Sequence, residues 1–201
     1  MADVIEEAVS AIRRGLPVVL PFDGVYGLCS SPYRQEPTAR IYRLKGRDPA
    51  KPAALIASDV DMLFECVPEL RGRAGVLARA LLPGPYTLIL PNPARRYPWL
   101  TGADGSKIGV RVPLLQETSN SIVERAGCLV ATSANLAGGP EPRRLEDVPD
   151  DIRSACLVAL DGGELPGLPS TVIDLTGGEP VVLREGAVPA AEALAAVART
   201  G

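Results

Sequence analysis

Apolar and polar positions along the chain alternate between two periods. Residues 3–14 space Val4, Ile5, Ala8, Val9 and Ile12 three and four apart, which is one face of a helix. Asp3 is its expected cap and Gly15 its stop. Continuous apolar runs at Val18 to Phe22 and Val25 to Cys29 predict strands. "PTARIYRLKG" predicts a helix with Pro37 near its start and Gly46 past its end. A short strand in "AALIAS" leads to a helix, "DVDMLFECV", capped by Ser58. "RGRAGVLARALL" is an amphipathic helix ended by Pro83-Gly84, and "YTLILP" is a strand. Residues 92–106 read as a Pro/Gly/Arg-rich loop. Then come a strand (KIGVRVP), a helix (QETSNSIVERAG), a strand (CLVAT), the loop "SANLAGGPEPRR", and a helix near 147–155. "CLVALD", "STVIDLT" and "PVVLREG" are strands, the last two a hairpin across Gly177-Gly178, and residues 189–199 form an Ala-rich helix. Interleaved strands and helices predict an α/β fold with a mixed sheet, as a single domain over residues 1–201.

Histidine is absent. That excludes Ser-His-Asp and Cys-His hydrolases and zinc sites of the H-E-x-x-H kind. Any catalysis must then run on Lys, Arg, Ser, Thr, Asn, Tyr, Cys and carboxylates, which suits chemistry of positioning and charge such as phosphoryl or nucleotidyl transfer. A net charge of −3 disfavours strong nonspecific nucleic-acid binding. The four cysteines are scattered with no C-x-x-C, which fits a reducing cytoplasm and argues against a structural metal site. No apolar stretch reaches membrane-spanning length, and the N-terminal segment reads as an acidic amphipathic helix rather than a signal peptide.

Several strands end in polar, glycine-containing loops, where ligands bind α/β sheets. "LKGRDPAKP" places Lys45, Arg47 and Lys51 around a helix end. Taken alone, a C-terminal lysine with a glycine stop is the stronger reading, and a cationic cluster for phosphates is the functional alternative. "ATSANLAGG" offers Ser133 and Asn135 either to an Asx-type turn or to a nucleotide. It lacks P-loop spacing. "SKIGVRVP" puts Arg111 among valines, on the same face as Lys107 and Gly109; a solvent-facing strand side is one reading, and such an arginine more often has a carboxylate or phosphate partner. Ser170 and Arg184 open and close the hairpin.

In this order, "PFDGVYGL", "KGRDPAKP", "LLPGPYTLIL", "KIGVRVP", "TSANLAGG" and "STVIDLTGGEPVVLREGAV" resemble the YrdC-like family of threonylcarbamoyl-AMP synthases, in its short single-domain form. The resemblance implies a twisted mixed sheet around a concave cavity, similar to the DHBP-synthase fold. It implies a reaction joining L-threonine, bicarbonate and ATP, with Mg²⁺, into threonylcarbamoyl-AMP and pyrophosphate. A downstream transferase uses the product to modify tRNA. Lys45 and Arg47 are the implied catalytic pair at the ATP phosphates. Arg47, Lys51, Lys107, Ser133, Asn135 and Arg184 are implied on the ATP side. Gly24, Tyr26, Arg111, Ala131 and Ser170 are implied around L-threonine, and no residue is assigned to a metal.

The turn after the first strand departs from the family pattern P-T-[DE]-T-V-Y-G-L. Phe22 and Gly24 stand in place of its two threonines, Lys107 in place of a common threonine, and Ile56 where some members carry histidine. Phe22 is expected to pack at the strand end, and Gly24 to leave room where a side chain would stand. Two alternatives remain at this level: a relative that adenylates the carbamate of another amine or carbamoyl phosphate, and a noncatalytic module binding double-stranded RNA, or tRNA, at most weakly.

Overall fold

The structure, a computed structural model, describes residues 2–200. In chain order the elements are α1 (Ala2–Arg13), β1 (Val18–Pro21), β2 (Tyr26–Ser30), α2 (Gln35–Lys45), β3 (Ala54–Ile56), α3 (Val60–Cys66), α4 (Gly72–Leu81), β4 (Tyr86–Pro91), β5 (Lys107–Arg111), α5 (Glu117–Ala126) and β6 (Leu129–Ser133). After a short 3₁₀ turn (Leu145–Asp147) follow α6 (Asp150–Ala155), β7 (Val158–Ala159), β8 (Thr171–Asp174), β9 (Val181–Arg184) and α7 (Ala190–Ala198). Among the described residues the nine strands form one sheet in the order β7-β1-β2-β6-β3-β5-β4-β8-β9. The pairs β1/β7, β3/β5 and β4/β8 are parallel and the remainder antiparallel. Among these residues no helix is long and apolar enough to cross a membrane.

Successive side chains of a strand point to opposite faces, and here the two faces carry different cores. Val19, Tyr26, Leu28, Leu55, Val110 and Val130 join the larger apolar cluster, with Ile41 and Tyr42 of α2, Leu63 of α3, Leu77 of α4, Ile152 of α6 and Val197 of α7. Val18, Leu20, Cys29, Ile56, Leu129 and Ala131 turn to the other face, where Val9 and Ile12 of α1 and Ile122 and Val123 of α5 cover them. Both sides of the central strands are therefore buried, which explains their unbroken apolar runs.

Two helices cannot cover the whole of the second face. Ala131 pairs with Ala54, Ala54 with Gly109 and Gly109 with Ile89. Ala131, Ala54 and Gly109 carry little side chain and, with Ile89 beside them, line the floor of a concave cavity that begins where the cover of α1 and α5 ends at Ala131 and Ala54.

Two expected caps differ. Asp3 sits inside the first turn of α1. The cap of α3 is Asp59 rather than Ser58: its carboxylate accepts from the Met62 N–H at 2.8 Å, and Ser58 donates to that carboxylate. A carboxylate at a helix N-terminus also meets the positive end of the helix dipole.

Candidate functional site

The cavity has a volume of about 840 Å³, within the range of small-molecule sites. Of the residues singled out from the sequence, Lys45, Arg47, Lys51, Arg111, Ala131, Ser133, Asn135, Ser170 and Arg184 line it. They come from the end of α2, the loop after it, β5, β6, the loop after β6, and the β8–β9 hairpin.

The end of α2 sets the first corner. Gly46 takes a left-handed conformation (φ 59°), and the Gly46 and Arg47 N–H groups turn back to the Arg43 and Tyr42 carbonyls. This stops the helix with Lys45 pointing inward, 2 % exposed. The Lys45 ammonium donates to the Ser133 carbonyl, the Asn135 carbonyl and, at 2.9 Å, the Asn135 Oδ1. Those three contacts use all three of its N–H donors. Asn135 Oδ1 also accepts from Ser133 Oγ at 2.6 Å, while its Nδ2 donates to the Gly139 carbonyl at 2.7 Å. The Ala137 N–H returns to the Lys45 carbonyl. Lys45, Ser133 and Asn135 are thus one bonded unit joining α2 to the loop after β6. Burial, with Arg47 nearby, pulls the Lys45 pKa down to about 8. The resemblance implies a place for Lys45 facing the ATP phosphates; in this structure its N–H groups are committed to Ser133 and Asn135.

Arg47 lies beyond this unit. One Nη donates to the Pro52 carbonyl at 2.7 Å, the guanidinium sits 5.8 Å from the Tyr42 ring centre, and Nε is buried without a partner. Arg184 donates to Ser170, at 2.7 Å to its carbonyl and 3.3 Å to Oγ; Ser170 Oγ in turn shares a hydrogen bond with Thr87 Oγ1 at 2.7 Å. Arg184 lies within electrostatic reach of both Arg47 and Arg111, and its burial pulls its pKa below the ordinary arginine value.

Arg111 is built differently. One Nη donates to Asp23 Oδ1 at 2.7 Å, with side chains only 13 % and 15 % exposed. Arg111 Nε and Asp23 Oδ2 are buried without partners. The guanidinium lies 5.9 Å from the Phe22 ring centre. That ring packs on Gly27, where an added Cβ would fall 1.9 Å from it. Phe22 therefore fills part of the cavity wall as well as the strand end.

Three of the singled-out residues do not reach the cavity lining. Lys107 starts β5 on the face of Arg111 but stands outside, bonded to Asp174 at 2.9 Å. Tyr26 turns to the opposite face, fully buried; its hydroxyl donates to the Gly163 carbonyl and accepts from the Gly162 N–H. Gly24 has no open space beside it. A Cβ there would fall 2.0 Å from the Leu168 carbonyl oxygen, and the Gly24 carbonyl accepts from the Gly167 N–H at 2.8 Å. The room expected at Gly24 is taken by the backbone of residues 167–169.

Asp23 joins the site through Arg111, and Thr87 and Glu141 line the cavity, though none of the three stands out from the sequence as a site residue. Thr87 was visible as a hydroxyl inside an apolar strand, and Glu141 as an acid in the loop after β6. Nothing local marked Asp23 as the partner of Arg111.

The Sua5/YciO/YrdC family model, described as telomere recombination, matches residues 10–186. The threonylcarbamoyl-AMP synthase of Chromohalobacter salexigens is 40 % identical over 187 residues, covering 89 % of this chain and 96 % of that protein. That of Pyrococcus abyssi is 33 % identical over 189 residues, covering 94 % of this chain but 55 % of the relative, so the chain spans about half of it. The crystal structure of P. abyssi Sua5 complexed with L-threonine matches with a TM-score of 0.85 and 33 % identity, over 96 % of this chain and 56 % of that one. E. coli YciO matches with a TM-score of 0.80 and 28 % identity, over 94 % and 92 %.

Proposed function

The chain belongs to the Sua5/YciO/YrdC family, and on that premise we propose that it acts as a threonylcarbamoyl-AMP synthase, a nucleotidyltransferase joining L-threonine, bicarbonate and ATP with release of pyrophosphate. One observation carries this reading. The cavity holds Arg47, Lys51 and Arg184 on its wall, and among the described residues none of the three forms an ion pair with an acidic side chain. Cations without acidic partners around a concave site make it electropositive and attract an anion, and a nucleoside triphosphate is such an anion.

In this reading the threonine amine and bicarbonate form an N-carboxy-threonine, with the C–N bond made and water lost. Its carboxylate oxygen attacks the α-phosphorus, the bond to the bridging oxygen breaks, and pyrophosphate leaves. Negative charge gathers on the phosphates, where Arg47, Lys51 and Arg184 stabilise it by direct N–H donation and Lys45 by its field. Arg111 has a guanidinium edge left over from Asp23 and receives the threonine carboxylate. Ser133 and Asn135 shape the nucleotide loop, and Ser170 and Ala131 border the amino acid. The cavity shields the carbamate from bulk water. The product then passes to a transferase that modifies tRNA.

Mg²⁺ fits as an ion carried with the nucleotide. Among the described residues there is no group of three or more acidic, cysteine or histidine side chains able to hold a metal alone. One carboxylate, Glu141, borders the cavity. That donor set suits Mg²⁺, which keeps waters and binds mainly to substrate phosphates with one or two carboxylates. Bound there, it neutralises phosphate charge.

The test is product analysis by mass after incubation with ATP, Mg²⁺, bicarbonate and single amino acids. Pyrophosphate and a threonylcarbamoyl-AMP mass are expected with L-threonine. The altered turn favours a second reading, in which another amine is the substrate, because Phe22 stands beside Arg111 and lines the cavity. Pyrophosphate release only with another amine would select that reading, and no release with any would overturn both.

A further inference from the structure

Glu141 follows Gly138-Gly139-Pro140 in the loop that the Lys45 unit holds in place. Among the described residues it is the one carboxylate bordering a cavity otherwise lined by five cationic side chains, Lys45, Arg47, Lys51, Arg111 and Arg184. Its Oε2 is buried and has no hydrogen-bond partner. Two of those cations, Lys45 and Arg184, lie within electrostatic reach of it, yet neither bonds to it. Lys45 spends its three donors on Ser133 and Asn135, and Arg184 donates to Ser170. A buried carboxylate oxygen without a donor carries a desolvation cost that a cationic or donor ligand in the cavity would relieve. Beside groups that attract phosphates, a bare carboxylate would repel the triphosphate. A divalent cation reverses that sign by bridging carboxylate and phosphate oxygens, and a single carboxylate with phosphates and water is an ordinary Mg²⁺ donor set. Ribose hydroxyls would also satisfy the carboxylate, but its neighbours are the cations that face phosphate rather than a neutral sugar.

We propose that Glu141 is the protein ligand of the divalent cation that accompanies the nucleoside triphosphate in this cavity. The proposal rests on the nucleotide reading above and deepens it.

The experiment measures ATP binding by calorimetry without threonine, in Mg²⁺ and in EDTA, for wild type, Glu141→Gln and Glu141→Asp, with melting temperatures as a fold check. Mg²⁺ should tighten ATP binding to wild type. Glu141→Gln should lose that enhancement, on the order of tenfold or more, while its affinity in EDTA stays equal or improves. Glu141→Asp should keep part of it. Wild-type protein carrying ¹³C-labelled glutamate should show hyperfine coupling between carboxylate ¹³C and Mn²⁺ in the ATP complex, a readout independent of any variant's folding. Full Mg²⁺ enhancement in Glu141→Gln, absence of the coupling, or an equal loss in Mg²⁺ and EDTA overturns the proposal; the last outcome points to ribose hydroxyls. ATP that binds wild type without Mg²⁺ enhancement overturns this inference alone. ATP that does not bind wild type in either condition overturns the nucleotide reading, and this one with it.

Discussion

Lys45 and Arg111 are both buried cations in one cavity, but their surroundings answer them differently. Around Lys45 every donor has an acceptor, and the acceptors are mostly backbone carbonyls of the loop after β6. Around Arg111 one Nη meets one oxygen of Asp23, and Nε and the second carboxylate oxygen stay unpartnered. A cation closed off by its own chain fixes shape and lends field, which is preorganisation. A cation left with open valences keeps them for a ligand, at a cost in desolvation. The pair shows that two buried cations of one cavity can differ in how many donors they leave uncommitted.

Lys45→Met breaks the closed end and should give the largest effect. The Ser133 and Asn135 carbonyls would stay buried without their donor, and the loss of hydrogen bonds to a charged group is worth about 3 kcal/mol in stability. In a chain of this size that lowers the melting temperature by roughly 6–12 °C. Adenylate formation should fall on the order of 100-fold, because the nucleotide loop shifts. Calorimetry and pyrophosphate release check both. A variant with an unchanged melting temperature and only a weakened rate would make Lys45 a direct phosphate contact, as proposed for Arg47.

Gly24→Thr probes the open end. Restoring a side chain to this turn does not restore a pocket, because the Cβ would fall 2.0 Å from the Leu168 carbonyl oxygen. The obstruction is backbone, so the segment at 167–169 must move, at about 1–3 kcal/mol. Since Pro169 and Ser170 line the cavity, the threonine KM should rise while the melting temperature drops. A tighter KM with unchanged stability would mean that the segment yields freely and that the turn tolerates both forms.

The legibility of these two ends in the sequence differed in the same way. The interleaved apolar runs gave the α/β order, and Gly46 after Lys45 marked the helix end that aims the lysine inward. Ser133 and Asn135 were visible as polar residues after an apolar strand. Which atoms they use was not visible, because two of the three acceptors of Lys45 are main-chain carbonyls, which every residue carries. The Arg111–Asp23 pair joins positions 88 residues apart and left no local trace. The Leu168 carbonyl over Gly24 is a contact of backbone with backbone, for which no residue type is a signal. Lys107 illustrates the limit of periodicity: alternation put it on the right face, but the cavity ends before it and Asp174 claims it.

The smallest effect sharpens the comparison through pH. The Lys45 pKa is pulled from its ordinary 10.5 to about 8, first by burial and then by the Arg47 charge, with Glu141 opposing. Below about 8 the ammonium is charged in the folded and unfolded chains alike, so the folded state carries the whole burial penalty. Between about 8 and 10.5 the unfolded chain keeps its proton while the folded chain releases it, so this group adds stability as pH rises, fully present above 10.5 and lost as pH falls through 8. Between pH 7 and 9 the gain is about 1 kcal/mol. Urea titrations at pH 7, 8 and 9 should show wild-type stability rising relative to Lys45→Met by that amount. Groups common to both proteins cancel in the difference, including Lys107, whose pKa Asp174 raises and whose contribution changes only above this window. Parallel pH profiles would mean that the lysine keeps its ordinary affinity for protons, and that water or a carboxylate reaches it despite the closed cage of carbonyls.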